Sequence, residues 1–420
     1  MYFNTNIVKR KTFLTELSNM KIAGIVSEYN PFHMGHEYHI KKTREMLGDC
    51  VIICVMSGDF VQRGETALFS KYSRAEAACM CGADIVIELP LPWSLSSAEG
   101  FARGAVGLLA DIGAEYISFG SETGDVDSIE KTADILSRED SIELIKNILK
   151  KEPEMSFAAA REKAIRNLAG EDCTKIISGA NDSLAVEYLR AIKKLGADIS
   201  PIAVKREGNG HDGFGASGFL SASEIRRLFY EGKDVSCYLP EEAAKIFADE
   251  INAGRVINKE LFETAVLARL RALDENYFLS LPDSNDGIGN RLYRESRKCA
   301  SLDELYNAAK TKKYAMSRVR RISMCALLGI KSGMNDGKAP YARILAASAN
   351  GCRALRKISD EKKIPLITKP ADINKYDNKL QQLFAIGVYA HDVYSLCYEN
   401  KSERIGSREW QISPKIVKNE

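Results

Sequence analysis

Short, almost wholly apolar runs alternate with helical patterns through the first half of the chain, and this alternation decides the fold class. The runs are Lys21–Val26, Val51–Met56, Asp84–Leu89, Tyr116–Phe119 and Ile199–Val204. Between them the spacing predicts helices over His36–Leu47, Lys71–Cys81, Ser96–Ile112 and Ser223–Tyr230, and a mostly helical stretch broken near Gly179. Strands without a polar face need cover on both sides of their sheet, and helical crossovers supply it. The expectation is an α/β fold built on a parallel sheet. After about residue 235 the pattern changes. Glu241–Asn252, Lys259–Leu273, Leu302–Lys312, Val319–Leu328, Ala342–Lys357 and Leu380–Cys397 read as helices, with loop compositions at Asp283–Asn290 and Lys331–Lys338. The expected domains are therefore 20–235, α/β, and 236–420, mostly helical. Residues 1–19 hold Lys and Arg but no apolar core for a signal peptide. Met20 reads as a natural start, with 1–19 an extension outside the fold.

Composition narrows the partners. The 59 basic and 57 acidic residues of the 420-residue chain leave a net charge of +2. That excludes a uniformly basic nucleic-acid coat but not a local basic face. No apolar run approaches the ~18 residues of a membrane span. Ten cysteines are scattered with no C-x-x-C spacing, which reads as reduced, packed thiols in a cytosolic protein.

The sharpest chemical signal is Ile25-Val26-Ser27-Glu28-Tyr29-Asn30-Pro31-Phe32-His33-Met34-Gly35-His36. A buried strand runs into a loop, then His-x-Gly-His, then a helix. Ligands of open α/β sheets bind at the carboxyl ends of strands, and a helix N-terminus there suits phosphate. Gly35 lets a base or phosphate approach the backbone. His33 and His36 can donate to phosphates and stabilise a leaving pyrophosphate. With His39 they have i, i+3, i+6 spacing, so a metal cluster is conceivable, but no acidic or cysteine ligand is near in sequence. A purely structural set of histidines is the other alternative. A second signal is Phe219-Leu220-Ser221-Ala222-Ser223-Glu224-Ile225-Arg226. Ser-x-Ser is a good helix N-cap, and with Arg226 it could also grip phosphates.

These phrases resemble the tRNA(Met) cytidine acetate ligase family from Met20 nearly to the C-terminus. The matching segments are GIVSEYNPFHMGHEYH, VMSGDFVQRGE, SKYSRAEAA, GADIVIELP, FARGAV, FGSETGD, KRE, SAS-IR, KTKKYAMSRVRR and PYARIL. The resemblance implies a nucleotidyltransferase-like, HIGH-type Rossmann-like α/β domain and a helical, tRNA-binding part. It implies an ATP site at Val26-Ser27-Glu28-Tyr29-Asn30-Pro31-Phe32-His33-Met34-Gly35-His36-Glu37-Tyr38-His39, with Gly120, Asn181 and Arg206. The chain departs from the family at Ala180-Asn181-Asp182, where the pattern has Pro-Asn-Asn. Read from the residues alone, Gly120 ends a strand and could equally be a turn glycine. Asn181 could be an N-cap, and Arg206 a phosphate clamp or an ordinary surface arginine.

Two groups of cations remain. Lys71 and Arg74 open a helix, where positive charge opposes the dipole, and the misfit hints at an anionic partner, substrate phosphate or tRNA. Between Gly289 and Arg321 stand ten basic and three acidic residues. Arg291, Arg294, Lys312, Lys313, Arg318, Arg320 and Arg321 are the candidates from that stretch for tRNA phosphates, with Tyr293 and Tyr314 among them. A solvated helix face is the alternative. The resemblance implies that acetate and ATP, which Mg²⁺ could accompany, give acetyl-adenylate. His33, His36, Ser221, Ser223 and Arg226 stabilise the departing pyrophosphate. The acetyl group then passes to N4 of the wobble cytidine of elongator tRNA(Met). No dedicated metal site is expected, and the oligomeric state is open. The rivals are an adenylyltransferase for a small metabolite and a non-catalytic, nucleotide-regulated RNA-binding protein.

Overall fold

A computed structural model describes residues 20–206, 219–361 and 363–418. The expectation for residues 1–19, and Glu207 of the KRE segment, lie outside the described residues.

The strands are β1 Lys21–Ser27, β2 Cys50–Ser57, β3 Phe60–Val61, β4 Glu65–Thr66, β5 Ile85–Leu89, β6 Tyr116–Ser121, β7 Ser200–Lys205, β8 Ala342–Ser348, β9 Leu366–Ile367 and β10 Lys415–Val417. Among the described residues, β10-β8-β5-β2-β1-β6-β7 form one sheet, β9 pairs with β8, and β3 and β4 make a separate hairpin. β5, β2, β1, β6 and β7 are mutually parallel. The strand order reverses at β1, whose neighbours β2 and β6 lie on opposite sides, so a crevice opens at its carboxyl end.

The apolar strands are buried on both faces, as their composition requires. Along β2, Val51, Ile53 and Val55 enter one core, while Cys50, Ile52, Cys54 and Met56 enter another. The first core is closed by the Ala98–Asp111 and Ala180–Leu195 helices, the second by the helices Met34–Leu47 and Lys71–Met80. Close approach is needed at Gly24 in β1. A Cβ there would stand 2.4 Å from Leu109 Cδ2, so any larger residue would force the Leu109 side chain or the strand to shift. All ten cysteines are free.

The part after residue 235 is mostly helical, as expected, with one correction. Ala342–Ser348 is a strand, not the start of a helix; the helix begins at Ala349. β8 runs antiparallel to β5 in the main sheet. Its seven residues, ARILAAS, are all buried; small apolar residues do not distinguish a two-sided strand from a buried helix by periodicity. The later region thus returns to the sheet. Its helical core also takes in Phe60 of β3 with Leu91 and Leu95 of the earlier region, so the β3–β4 hairpin joins the two.

Candidate active site at the carboxyl edge of the sheet

The histidine loop begins where β1 leaves the sheet. Tyr29 sits at φ 47, a conformation that a tyrosine tolerates only when its surroundings hold it. Its ring is buried, and its hydroxyl meets Cys54 Sγ at 3.2 Å. Asn30 Oδ1 accepts from Leu68 N at 2.8 Å, and Arg226 Nη1 donates to Asn30 O at 2.7 Å. The Met34–Leu47 helix then starts with His33 as its N-cap. His33 Nδ1 accepts from Gly35 N at 3.0 Å, and His36 Nδ1 accepts from His33 N at 3.3 Å. Here two imidazoles close the capping box that Ser and Glu usually form. A Cβ on residue 35 would lie 2.9 Å from His33 Cε1, which explains the glycine.

These bonds fix the tautomers. An Nδ1 that accepts from a backbone amide carries no proton, so each neutral ring carries its proton on Nε2. Burial holds both rings neutral: His33 is pushed down to about 3 by desolvation and by the Arg206 guanidinium. His36 falls well below its usual value through desolvation, with His33, Arg206 and His39 adding to it. The rings lie 3.8 Å apart, tilted by 33°. The result is a pair of adjacent, uncharged Nε2–H donors at a helix start.

His39 is different. Thr43 Oγ1 donates to His39 O at 2.9 Å, so Ser118 must donate to Thr43, and His39 Nε2–H donates to Ser118 Oγ at 2.9 Å. Its Nε2 is spent anchoring the helix to β6. Among the described residues no group of three or more His, Cys, Asp or Glu is placed to hold a metal ion.

The β6 end completes the crevice. Gly120 follows the last β1–β6 pair, Ile25 with Ser118, by two residues. Arg206 lies against it, with Arg206 Cγ 3.6 Å from where a Cβ on residue 120 would be. Arg206 is exposed and stands near enough to all three histidines to lower them. Asn181 is not an N-cap, because Gly179 holds that place. Its Nδ2 donates to Glu122 Oε1 at 2.6 Å. The family departure at Asp182 has a visible use. Asp182 is fully buried and accepts from Ser121 Oγ, from Glu122 N at 3.2 Å, and from Thr123 N and Oγ1 at 3.1 and 2.9 Å. Glu122 and Asp182 thus bind the loop after β6 reciprocally to the Ala180–Leu195 helix. FGSETGD and the Asn-Asp pair were the signal for this in the sequence, although spacing alone could not pair them.

Ser221 caps the Ala222–Tyr230 helix, accepting from Glu224 N at 3.2 Å. Phe219 packs against Tyr38 with centroids 5.9 Å apart. The structure therefore brings the serine-rich helix start and Arg226 to the histidine loop. It also places Glu28 there, with Oε1 accepting from Gln62 N at 2.9 Å; burial raises this carboxyl above its usual value despite Arg63 and Arg226.

Other predicted cations need correction. Lys71 and Arg74 are buried, with relative exposures of 1% and 0%. The misfit at the helix start is real, but its partners are internal. Lys71 Nζ lies 2.9 Å from both Glu88 oxygens and from Glu409 Oε1. Arg74 donates to the carbonyls of Glu28, Gly58, Phe69 and Ser57. Arg321 is also buried, facing Asp283 at 3.9 Å. Arg291 donates to Ala308 O and Arg318 to Asp283 O, so both tie the helical part together. Arg294 and Lys312 are exposed, and Lys313 lies against the Tyr314 ring. Arg320 pairs with Glu65, the last residue of the VMSGDFVQRGE segment, which the sequence alone did not pair with a cation.

Comparison with known proteins agrees with this geometry. The HIGH Nucleotidyl Transferase family matches residues 20–409. A tRNA(Met) cytidine acetate ligase of Acetivibrio thermocellus is 35% identical over 410 residues, covering 93% of this chain and 98% of its own. One from Clostridium acetobutylicum is 37% identical over 402 residues, covering 91% and 96%. The crystal structure of Thermotoga maritima TmcAL bound with alpha-thio ATP superposes with a TM-score of 0.89 at 30% identity, covering 95% of this chain and all of that one. With its histidine pair at the switch point of the sheet and its likeness running through both parts, the chain belongs to the tRNA(Met) cytidine acetate ligase family of HIGH nucleotidyl transferases.

Proposed function

We propose that the chain joins acetate to the wobble cytidine of elongator tRNA(Met) at the expense of ATP. In the first step an acetate oxygen attacks the α-phosphorus, the bond to the β-phosphate oxygen breaks, and pyrophosphate leaves. The two Nε2–H donors of His33 and His36 meet the charge that develops on the leaving group, and being neutral they need no proton transfer to do so. Arg206, Ser221, Ser223 and Arg226 add charge and hydrogen bonds to the phosphates. The segment Val26–His39, Gly120 and Asn181 line the nucleotide crevice. Mg²⁺ travelling with ATP would be held by the phosphates themselves. In the second step the exocyclic N4 attacks the acetyl carbonyl, the acyl–phosphate bond breaks, AMP leaves, and the amine gives up one proton. Arg294, Lys312, Lys313 and Arg320 serve tRNA phosphates in this reading.

The observation that supports this most directly is the pair of adjacent, neutral imidazoles at a helix start beside Gly120 and Arg206. The curated relatives' names supply the substrates. The test is mass analysis of tRNA nucleosides after incubation with ATP and isotope-labelled acetate. Labelled N4-acetylcytidine in elongator tRNA(Met) is expected, with pyrophosphate released even when tRNA is omitted. Pyrophosphate release with no labelled nucleoside would move the second substrate elsewhere.

A further inference from the structure

Glu65, at the start of β4, holds two cations from distant parts of the chain. Its Oε2 lies 3.4 Å from Arg226 Nη2, and its Oε1 pairs with Arg320 Nη1. Arg226 comes from the serine-capped helix and grips the histidine loop through Asn30 O. Arg320 comes from the helical region, and its Nε is buried with no hydrogen-bond partner. Lys259 stands close enough to feel Glu65 and Arg226. Its ammonium lies 3.5 Å from the centroid of the Tyr230 ring, and among the described residues it has no carboxylate within ion-pair distance. Lys259 is exposed and Tyr230 is 37% exposed. Arg63, at the tip of the hairpin, is exposed and acts on Glu28.

The hairpin cannot swing freely. A Cβ on Gly64 would lie 2.5 Å from Arg321 N, so the turn is seated on the Met316–Leu328 helix. Four cations from three regions therefore lie about Glu28 and Glu65 beside the histidine loop, with Asp303 also acting on Lys259 and Glu399 on Tyr230. The arginine pair, the unpartnered Nε of Arg320 and the part-exposed ring of Tyr230 fit an unpaired nucleotide, phosphate on the arginines and base on the ring in place of the Lys259 ammonium.

Resting on the reading above that a tRNA is the acceptor, we infer that the β3–β4 hairpin with Arg226, Lys259 and Arg320 forms the port through which the target nucleotide of an anticodon loop reaches the adenylate, and that Glu65 occupies its phosphate seat until RNA displaces it. The carboxylate keeps the two guanidiniums aligned while the seat is empty. An incoming phosphodiester exchanges with it, so part of the counterion release that RNA binding ordinarily gives is forgone in the wild type.

The test is the affinity of the whole protein for an anticodon stem-loop RNA of elongator tRNA(Met), without ATP, across a salt series. Glu65→Gln should bind about tenfold more tightly at low salt, with the slope of log affinity against log salt steeper by about 0.7. Lys259→Gln, at an exposed position, should weaken binding and flatten the slope by about 0.7. Lys146→Gln, an exposed cation on the Glu139–Lys151 helix, is the control and should match wild type. Wild-type behaviour of either Glu65→Gln or Lys259→Gln overturns the port. So does a Glu65→Gln protein that tightens on ATP but not on RNA, because the seat would then belong to the polyphosphate. A wild type that releases no pyrophosphate from ATP and acetate would refute the proposed reaction, while these slopes would still report on the port.

Discussion

In the proposed reaction His33 joins catalysis to acid sensitivity, and His33→Asn separates the two. Asparagine is a good N-cap, so it can still accept from Gly35 N, but it neither titrates nor carries the Nε2–H donor. His33 is held at about 3 in the folded protein by burial and by Arg206, against about 6.5 in an unfolded chain. Above pH 6.5 both states are neutral and the group leaves stability unchanged. As the pH falls from 6.5 toward 3 only the unfolded chain takes up the proton, and stability is lost. Between pH 7 and pH 5 that loss comes to about 2 kcal/mol for this one residue. Urea unfolding of wild type and His33→Asn at both pH values measures it: the variant should lose about 2 kcal/mol less than wild type on acidification. In the same preparations, acetate-dependent pyrophosphate release at pH 7.5 should fall by about 10²–10³, the usual effect of removing one preorganised donor. Equal acid sensitivity in the two proteins would mean that His33 is hydrated and not buried neutral. Unchanged turnover in a folded variant would remove His33 from the phosphate site.

Three shorter predictions rest on other parts of the structure. Lys71→Met leaves Glu88 and Glu409 buried with one cation fewer and should destabilise by about 3–5 kcal/mol in urea unfolding, as broken buried pairs do. Asp182→Ala strands the donors of residues 121–123 at about 1–3 kcal/mol for each that stays dry, and calorimetry should show ATP affinity falling with it. Arg321→Ala should leave the salt slope of tRNA binding unchanged because that side chain is buried, whereas Arg294→Ala with Lys312→Ala should flatten it by about 0.7–0.9 for each phosphate left without its cation.

The parallel sheet, the histidine loop and the serine-capped helix were legible because each rests on local signals: apolar runs, a helix start, a capping residue. β8 was not, since Ala342–Ser348 is as apolar as a buried helix and its partner β5 lies far away in sequence. Cations were the hardest to read. Lys71 looks like a surface charge until Glu409, 338 residues on, is brought against it. Arg321 and Arg320 are neighbours in sequence, yet one is buried and the other meets Glu65. Sequence gives the sign of a charge, but its partner is set by the fold.

That same long-range pairing explains why the helical region matters to the histidine loop. Arg74 ties the histidine loop to the end of β2, donating to Glu28 O and to Gly58 O. Next to it, Asp59 Oδ1 accepts from Lys71 N at 2.8 Å and Asp59 Oδ2 meets His391 Nδ1 at 2.8 Å. Although burial favours the neutral acid, His391, Lys71 and Arg74 together hold Asp59 well below the carboxylate range. Burial alone would lower His391, but Asp59 raises it above its usual value. A raised histidine contributes stability that is full below about 6.5 and is lost as the pH climbs through its folded value. His33 and His39 act in the opposite sense, both lowered by burial. The loop thus carries histidines whose protonation weakens the fold, while its tie to the Asn378–Leu396 helix carries one whose protonation strengthens it. The two act in adjoining windows, His33 and His39 below about 6.5 and His391 above it, so together they set a stability maximum at about pH 6.5, and the difference between wild type and a single-histidine variant isolates either limb.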